Sequence, residues 1–161
     1  MEKINAILQE VGLITLKFSK LESLTLEYIS ILISGSATLT NYMIFQDQTL
    51  DKKLQTLEML IHLKSIGHRE KLQIDTINKI KKLKNERNLF IHGDWGNIQS
   101  AIENDFETIS VQSIKYNFKK DPKSWTPAKK DTFTIERFKK MNEEIDHLLF
   151  ELSERIKENR E

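Results

Sequence analysis

Arg87, Asn88 and His92 are the residues of this chain best suited to chemistry, within the run Glu86-Arg87-Asn88-Leu89-Phe90-Ile91-His92-Gly93-Asp94-Trp95. An arginine presents a planar fork of donors that matches a phosphate, and a histidine moves protons near neutral pH. The pair is therefore suited to binding or cutting RNA. Whether the side chains can act together depends on the element that carries them.

That element reads as a helix from Arg69 to His92, with Ile74, Ile77, Ile80, Leu83 and Ile91 as its apolar positions. At about 100° per residue, Ile77, Ile80, Lys84, Arg87 and Ile91 fall on one line of three- and four-residue steps. Arg87 thus sits inside the apolar stripe, where a charge needs a partner, a cleft or a subunit interface. Asn88 and His92 are four apart and share a neighbouring face. Arg87 and His92 are five apart, about 140° around an ideal helix. One cleft can hold both only if the helix end is distorted or a second copy of the chain completes the site. Gly93 makes a helix ending directly after His92 plausible.

The rest of the chain supplies a helical frame. A long first helix fits Lys3 to Ile33, with Ile14, Phe18, Leu21, Thr25, Tyr28 and Leu32 in register and Gly35 as its stop. Ser36 to Gln48 is ambiguous between a short helix and a buried loop. A further helix fits Thr49 to Ile66, with Gly67 as its stop. After Trp95 the texture changes: Ile109 to Phe118 is rich in β-formers, Asp121-Pro122-Lys123-Ser124 signals a turn, and Asp131 to Thr134 reads as a return strand. Trp125, beside that turn, is a candidate contact for a substrate or partner. Thr134 caps a last helix carrying Phe138, Met141, Ile145, Leu148, Leu149 and Leu152, which is expected to fray into the charged tail. The expectation is a mainly all-α fold: one domain over residues 1–161, a four- or five-helix up-and-down bundle with a small β-hairpin or flap inserted at about 96–133.

Composition narrows the function classes. The 161 residues are 39% hydrophobic and 30% charged, with five Gly, two Pro and no Cys. Such a chain has no disulfide framework and no thiolate metal site. Leu26 to Ile33 is broken by Glu27, Tyr28 and Ser30, so no stretch reads as a membrane span, and Met1 to Asn5 lacks a signal pattern. A cytoplasmic protein is expected. The net charge of +1 argues against coating nucleic acid by bulk electrostatics, though local patches are basic. Lys79, Lys81, Lys82, Lys84 and Arg87 form one basic run, and Lys115, Lys119, Lys120, Lys123, Lys129 and Lys130 another. Each reads either as a solvated face or, where both flank one cleft, as a nucleic-acid contact.

Arg87-Asn88-x3-His92 at the end of a late helix resembles the signature of the HEPN superfamily (higher eukaryotes and prokaryotes nucleotide-binding domains). That signature is Arg, four to six residues, then His, with a polar residue, often Asn, after the Arg. The resemblance covers the bundle in outline, and only this motif is sharp. Many members are metal-independent ribonucleases of toxin–antitoxin, abortive-infection and CRISPR-associated defence systems, and they typically dimerise so that two motifs form one cleft. Others bind without catalysis. Members paired with minimal nucleotidyltransferase antitoxins carry a Tyr two residues after the His. Here Asp94 stands in that place, which argues against regulation by AMP transfer to such a Tyr.

The resemblance implies that His92 acts as general base or acid, that Arg87 stabilises the charge growing on the phosphoryl oxygens, and that Asn88 orients the histidine or the phosphate. It implies RNA as substrate, a homodimer, no cofactor or metal, and an antitoxin or other defence-system protein as partner. Lys84 and Trp95 are candidate substrate contacts, Trp95 by stacking a base or else as a lid on the core. Two other readings stay open. Arg87 pairs with a first-helix carboxylate, Glu22 or Glu27, while His92 caps the helix; or the chain is a non-catalytic RNA-binding, nucleotide-binding or protein-interaction module. His62, His68 and His147 show no metal-ligand spacing and read as surface or edge residues.

Overall fold

The three- and four-residue apolar spacing of the sequence becomes four helices in the computed structural model, which describes residues 2–34, 45, 47–93, 95, 108–116 and 125–160. These are α1 (Glu2–Leu32), α2 (Leu50–Lys64), α3 (His68–His92) and α4 (Ile135–Glu158), with strands β1 (Thr108–Tyr116) and β2 (Trp125–Thr134) between α3 and α4. The protein is mainly helical with a small β insert before its last helix. No described helix is long and apolar enough to cross a membrane. Residues 35–44 and 46, most of the ambiguous Ser36 to Gln48 stretch, and residues 96–107 and 117–124, which include the expected turn Asp121-Pro122-Lys123-Ser124, lie outside the described residues.

The chain divides into two compact units, and α1, α3 and α4 each contribute a segment to both. Residues 15–83 and 143–161 form one of them, a four-helix bundle. Its core takes the expected stripe of α1, with Leu21 and Thr25 fully buried, together with Leu57 and Ile61 of α2, Ile77 and Ile80 of α3 and Ile145 of α4. Ion pairs join its helices around the rim: Lys53 to Glu22 at 2.7 Å, Lys81 to Glu58 at 2.6 Å, Lys79 to Glu151 at 3.3 Å and Lys17 to Asp146 at 2.7 Å. Such partly exposed pairs add little individually.

A buried polar chain fixes the end of this bundle. Ser65, the C-cap of α2, donates to Gln73 Oε1 at 2.8 Å, and Gln73 Nε2 donates to the Tyr28 hydroxyl at 2.5 Å. Asn159 Nδ2 donates to the same hydroxyl at 3.1 Å, while Ile156 is buried and Arg160 pairs with Glu27. The charged tail therefore does not fray after Leu152; polar contacts to α1 hold it to Arg160. At the turn before α3, Gly67 has φ of 72°, the left-handed conformation that glycine adopts without strain. At the end of α1 the left-handed residue is Ser34, with φ of 58°.

Residues 1–14 and 84–142 form the other unit. Here β1 and β2 pair antiparallel, Ile109 opposite Phe133 and Tyr116 opposite Trp125, with a register shift between Ser113 and Ile114. The return strand starts at Trp125, six residues earlier than Asp131, the expected start. Pro127 lies within it, which a two-stranded ribbon tolerates because both strands are edges. The base of the ribbon meets the core: Ile109 and Phe133 are fully buried, as are Phe90, Phe138 and Ile7. Thr134 caps α4 as expected, its hydroxyl accepting from the Arg137 backbone N–H at 3.2 Å.

Burial, partly offset by Arg69, Arg155 and the Asn159 hydrogen bond, pushes the Tyr28 hydroxyl up to about 12 from 10.0. A raised value means that the folded state keeps its proton more tightly than the unfolded chain. The associated stability is complete below pH 10 and is lost as pH rises through about 12. The loss amounts to about 2–3 kcal/mol. Urea unfolding of wild type between pH 9 and 12 should show this decline, and Tyr28→Phe should flatten it.

Candidate functional site

The motif occupies the last two turns of α3, which stays helical through His92 before bending at Gly93. Three contacts, all within the same unit, explain why this end does not unwind. Phe90 is fully buried against the rings of Phe133 and Phe138, edge-on to each, with centroids at 5.4 and 5.1 Å. Phe133 and Phe138 stack on one another at 5.3 Å. Ring pairs of this geometry add about 0.5–1.5 kcal/mol each beyond burial. The Trp95 indole N–H donates to the Phe90 carbonyl at 2.5 Å, satisfying one of the acceptors that a helix leaves open at its C-terminus.

The third contact is a guanidinium that sequence reasoning missed. Arg137 Nε donates to Glu86 Oε1 at 2.7 Å. Its Nη1 donates to Asp131 Oδ1 at 3.0 Å and to the Thr132 carbonyl at 2.8 Å, and Nη2 to Asp131 Oδ2 at 3.3 Å. The guanidinium carbon lies 3.9 Å from the centre of the Phe133 ring. Burial works against this charge, but the hydrogen bonds to Asp131 and Glu86 outweigh it and raise the group above its ordinary value. In the sequence Arg137 is an ordinary residue in the first turn of a helix, 51 positions from Glu86. Only the hairpin's return brings the two together.

Arg87 is half-buried, in phase with buried Leu83 before it and Phe90 after it. The apolar line ends on Phe90 rather than on Ile91, which is half-buried. Arg87 Nη1 donates to Asn88 Oδ1 at 2.9 Å, so the amide orients the arginine. His92 is exposed. With the helix regular between them, Arg87 and His92 keep the separation of about 140° that their spacing sets.

The other expected residues are placed as follows. Lys84 is buried, 9% exposed, one turn before Asn88. Trp95 is half-buried and engaged with Phe90, the lid alternative to base stacking. Glu22 accepts from Lys53, and Glu27 from Arg160. The position of Asp94 and the side chain of Trp125 lie outside the described residues. His62 Nδ1 is 2.6 Å from Glu70 Oε1 on the surface. Exposed His147 lines a cleft of about 390 Å³ with Lys79, Lys82, Glu144 and Glu151, over Leu83 and Leu148. Among the described residues no three His, Asp or Glu side chains gather as a metal site would require.

Trp95→Phe removes the bond to the Phe90 carbonyl while keeping an aromatic body. It should cost about 1 kcal/mol and speed amide hydrogen exchange in the last turn of α3, with the four-helix unit unaffected. Phe138→Ala should cost about 3–5 kcal/mol in urea unfolding. Comparison of the chain with protein-family models, with curated proteins and with solved structures found no match.

Proposed function

We propose that this chain is a metal-independent endoribonuclease of a defence or toxin–antitoxin type system, acting as a homodimer in the cytoplasm. Its composite site takes Arg87, Asn88 and His92 from two copies. The observation that carries this reading is the placement of the motif on a helix that stays regular through His92. Arg87 is half-buried with its fork set by Asn88, and His92 is exposed well around the helix. One chain offers a phosphate-binding group and a proton-transfer group that face different ways. Two copies related by a two-fold axis bring the Arg87 of one toward the His92 of the other.

In that site His92 takes the proton from a ribose 2′-hydroxyl, and the 2′-oxygen attacks the adjacent phosphorus. The bond from phosphorus to the 5′-oxygen breaks, and the departing oxygen takes a proton from solvent water. Arg87 neutralises the charge that accumulates on the non-bridging oxygens, a task for which a fork of charged donors is suited. The products are a 2′,3′-cyclic phosphate and a 5′-hydroxyl end. DNA lacks the nucleophile and is not cut.

Incubation with mixed RNA in EDTA should therefore give cleavage with cyclic-phosphate ends and none in 2′-deoxy substrates. Arg87→Ala and His92→Ala should each lower the rate by at least about a hundredfold with unchanged unfolding midpoints. Cleavage abolished by EDTA would contradict the chemistry. Binding without cleavage would make the chain a non-catalytic RNA-binding module, and unfolding of Arg87→Ala would make the arginine structural.

A further inference from the structure

Glu86 immediately precedes the arginine proposed to bind phosphate, and it is the carboxylate that Arg137 holds at 2.7 Å. An uncompensated carboxylate at that point would repel the polyanion that Arg87 is to bind. At about 8 Å, with a dielectric response between that of a surface pair and water, one such charge weakens binding about fivefold. The same guanidinium takes up Asp131 and the Thr132 carbonyl at the base of the ribbon. It therefore pairs with two carboxylates beside the motif, cutting their combined charge from two to one, and ties α3 to the end of β2 with one side chain.

We infer that Arg137 is a positioning residue for RNA binding at Arg87, acting by holding the Glu86 carboxylate in an ion pair so that the motif end of α3 stays attractive to phosphate. The inference rests on the ribonuclease reading for the identity of the ligand, and it concerns binding alone. Stacking on Phe133 and bidentate contact with Asp131 fix the guanidinium, so Glu86 is paired in a defined geometry rather than by a mobile surface charge. Thr134 sets the start of the helix that carries Arg137, which gives the guanidinium a rigid base.

The test measures the affinity of each variant for a single-stranded RNA oligomer methylated on every 2′-oxygen, which cannot be cut by the proposed chemistry, by fluorescence anisotropy at low and high salt. Arg137→Gln should weaken binding about fivefold at low salt, and the deficit should shrink in high salt as screening sets in. Removing the released charge as well, in Arg137→Gln with Glu86→Gln, should restore affinity to within about twofold of wild type. Arg137→Lys, which keeps the charge, should stay within the same range and covers the case in which Arg137→Gln unfolds. A double variant as weak as Arg137→Gln, Arg137→Gln itself with wild-type affinity, or Arg137→Lys as weak as Arg137→Gln overturns the inference, because a merely structural role is not rescued by removing Glu86. Wild type that binds this oligomer but cuts no RNA overturns the ribonuclease reading alone. Wild type that binds no RNA overturns both.

Discussion

Three phenyl rings at the end of α3 set what its motif can do. Phe90 is locked edge-on against Phe133 and Phe138, so the turn carrying Arg87, Asn88 and His92 cannot unwind without exposing a fully buried side chain. Trp95 closes the same turn from beyond its end, and Arg137 pins it one residue before Arg87. A helix held this way fixes the angle between arginine and histidine. Fixed angles turn residue spacing into a statement about which groups can share a substrate.

The β-ribbon has a physical role in this. A two-stranded hairpin alone is marginal in water. Its base here contributes Ile109 and Phe133 to a core and offers Asp131 and the Thr132 carbonyl to Arg137. The segment before the last helix is thus part of the support for the motif rather than an appendage. The four-helix unit relies on a different device: a buried polar chain through Tyr28, Gln73 and Asn159, in which each hydroxyl and amide is partnered.

Much of the fold was legible in the sequence because helices bury side chains with a fixed period. Ile14, Phe18, Leu21, Thr25, Tyr28 and Leu32 form a stripe by spacing alone, and all six are buried. Thr134 could be read as a cap for the same local reason. Interactions set by the return of the chain were not legible. Phe90 and Ile91 both continue the α3 stripe by spacing, three and four residues after Arg87. Phe90 is the one buried, because Phe133 and Phe138 lie against it. Arg137 carried no signal in the sequence because Glu86 and Asp131 come to it through tertiary folding. The tail after Leu152 looked frayed because charge dominates its composition, whereas Asn159 and Arg160 each find a partner on α1. At the motif, residue types and spacing were legible; what holds them in place was not.

In the proposed function Arg87 of one copy acts with His92 of another, and complementation measures that most directly. Arg87→Ala and His92→Ala chains, each inactive alone, are mixed, co-refolded and assayed for cleavage of RNA in EDTA. In a composite site the mixed dimer brings one intact Arg87 to one intact His92, so activity should reappear in proportion to the heterodimer formed. Heterodimers that form and stay as inactive as either parent would contradict a site shared between two copies.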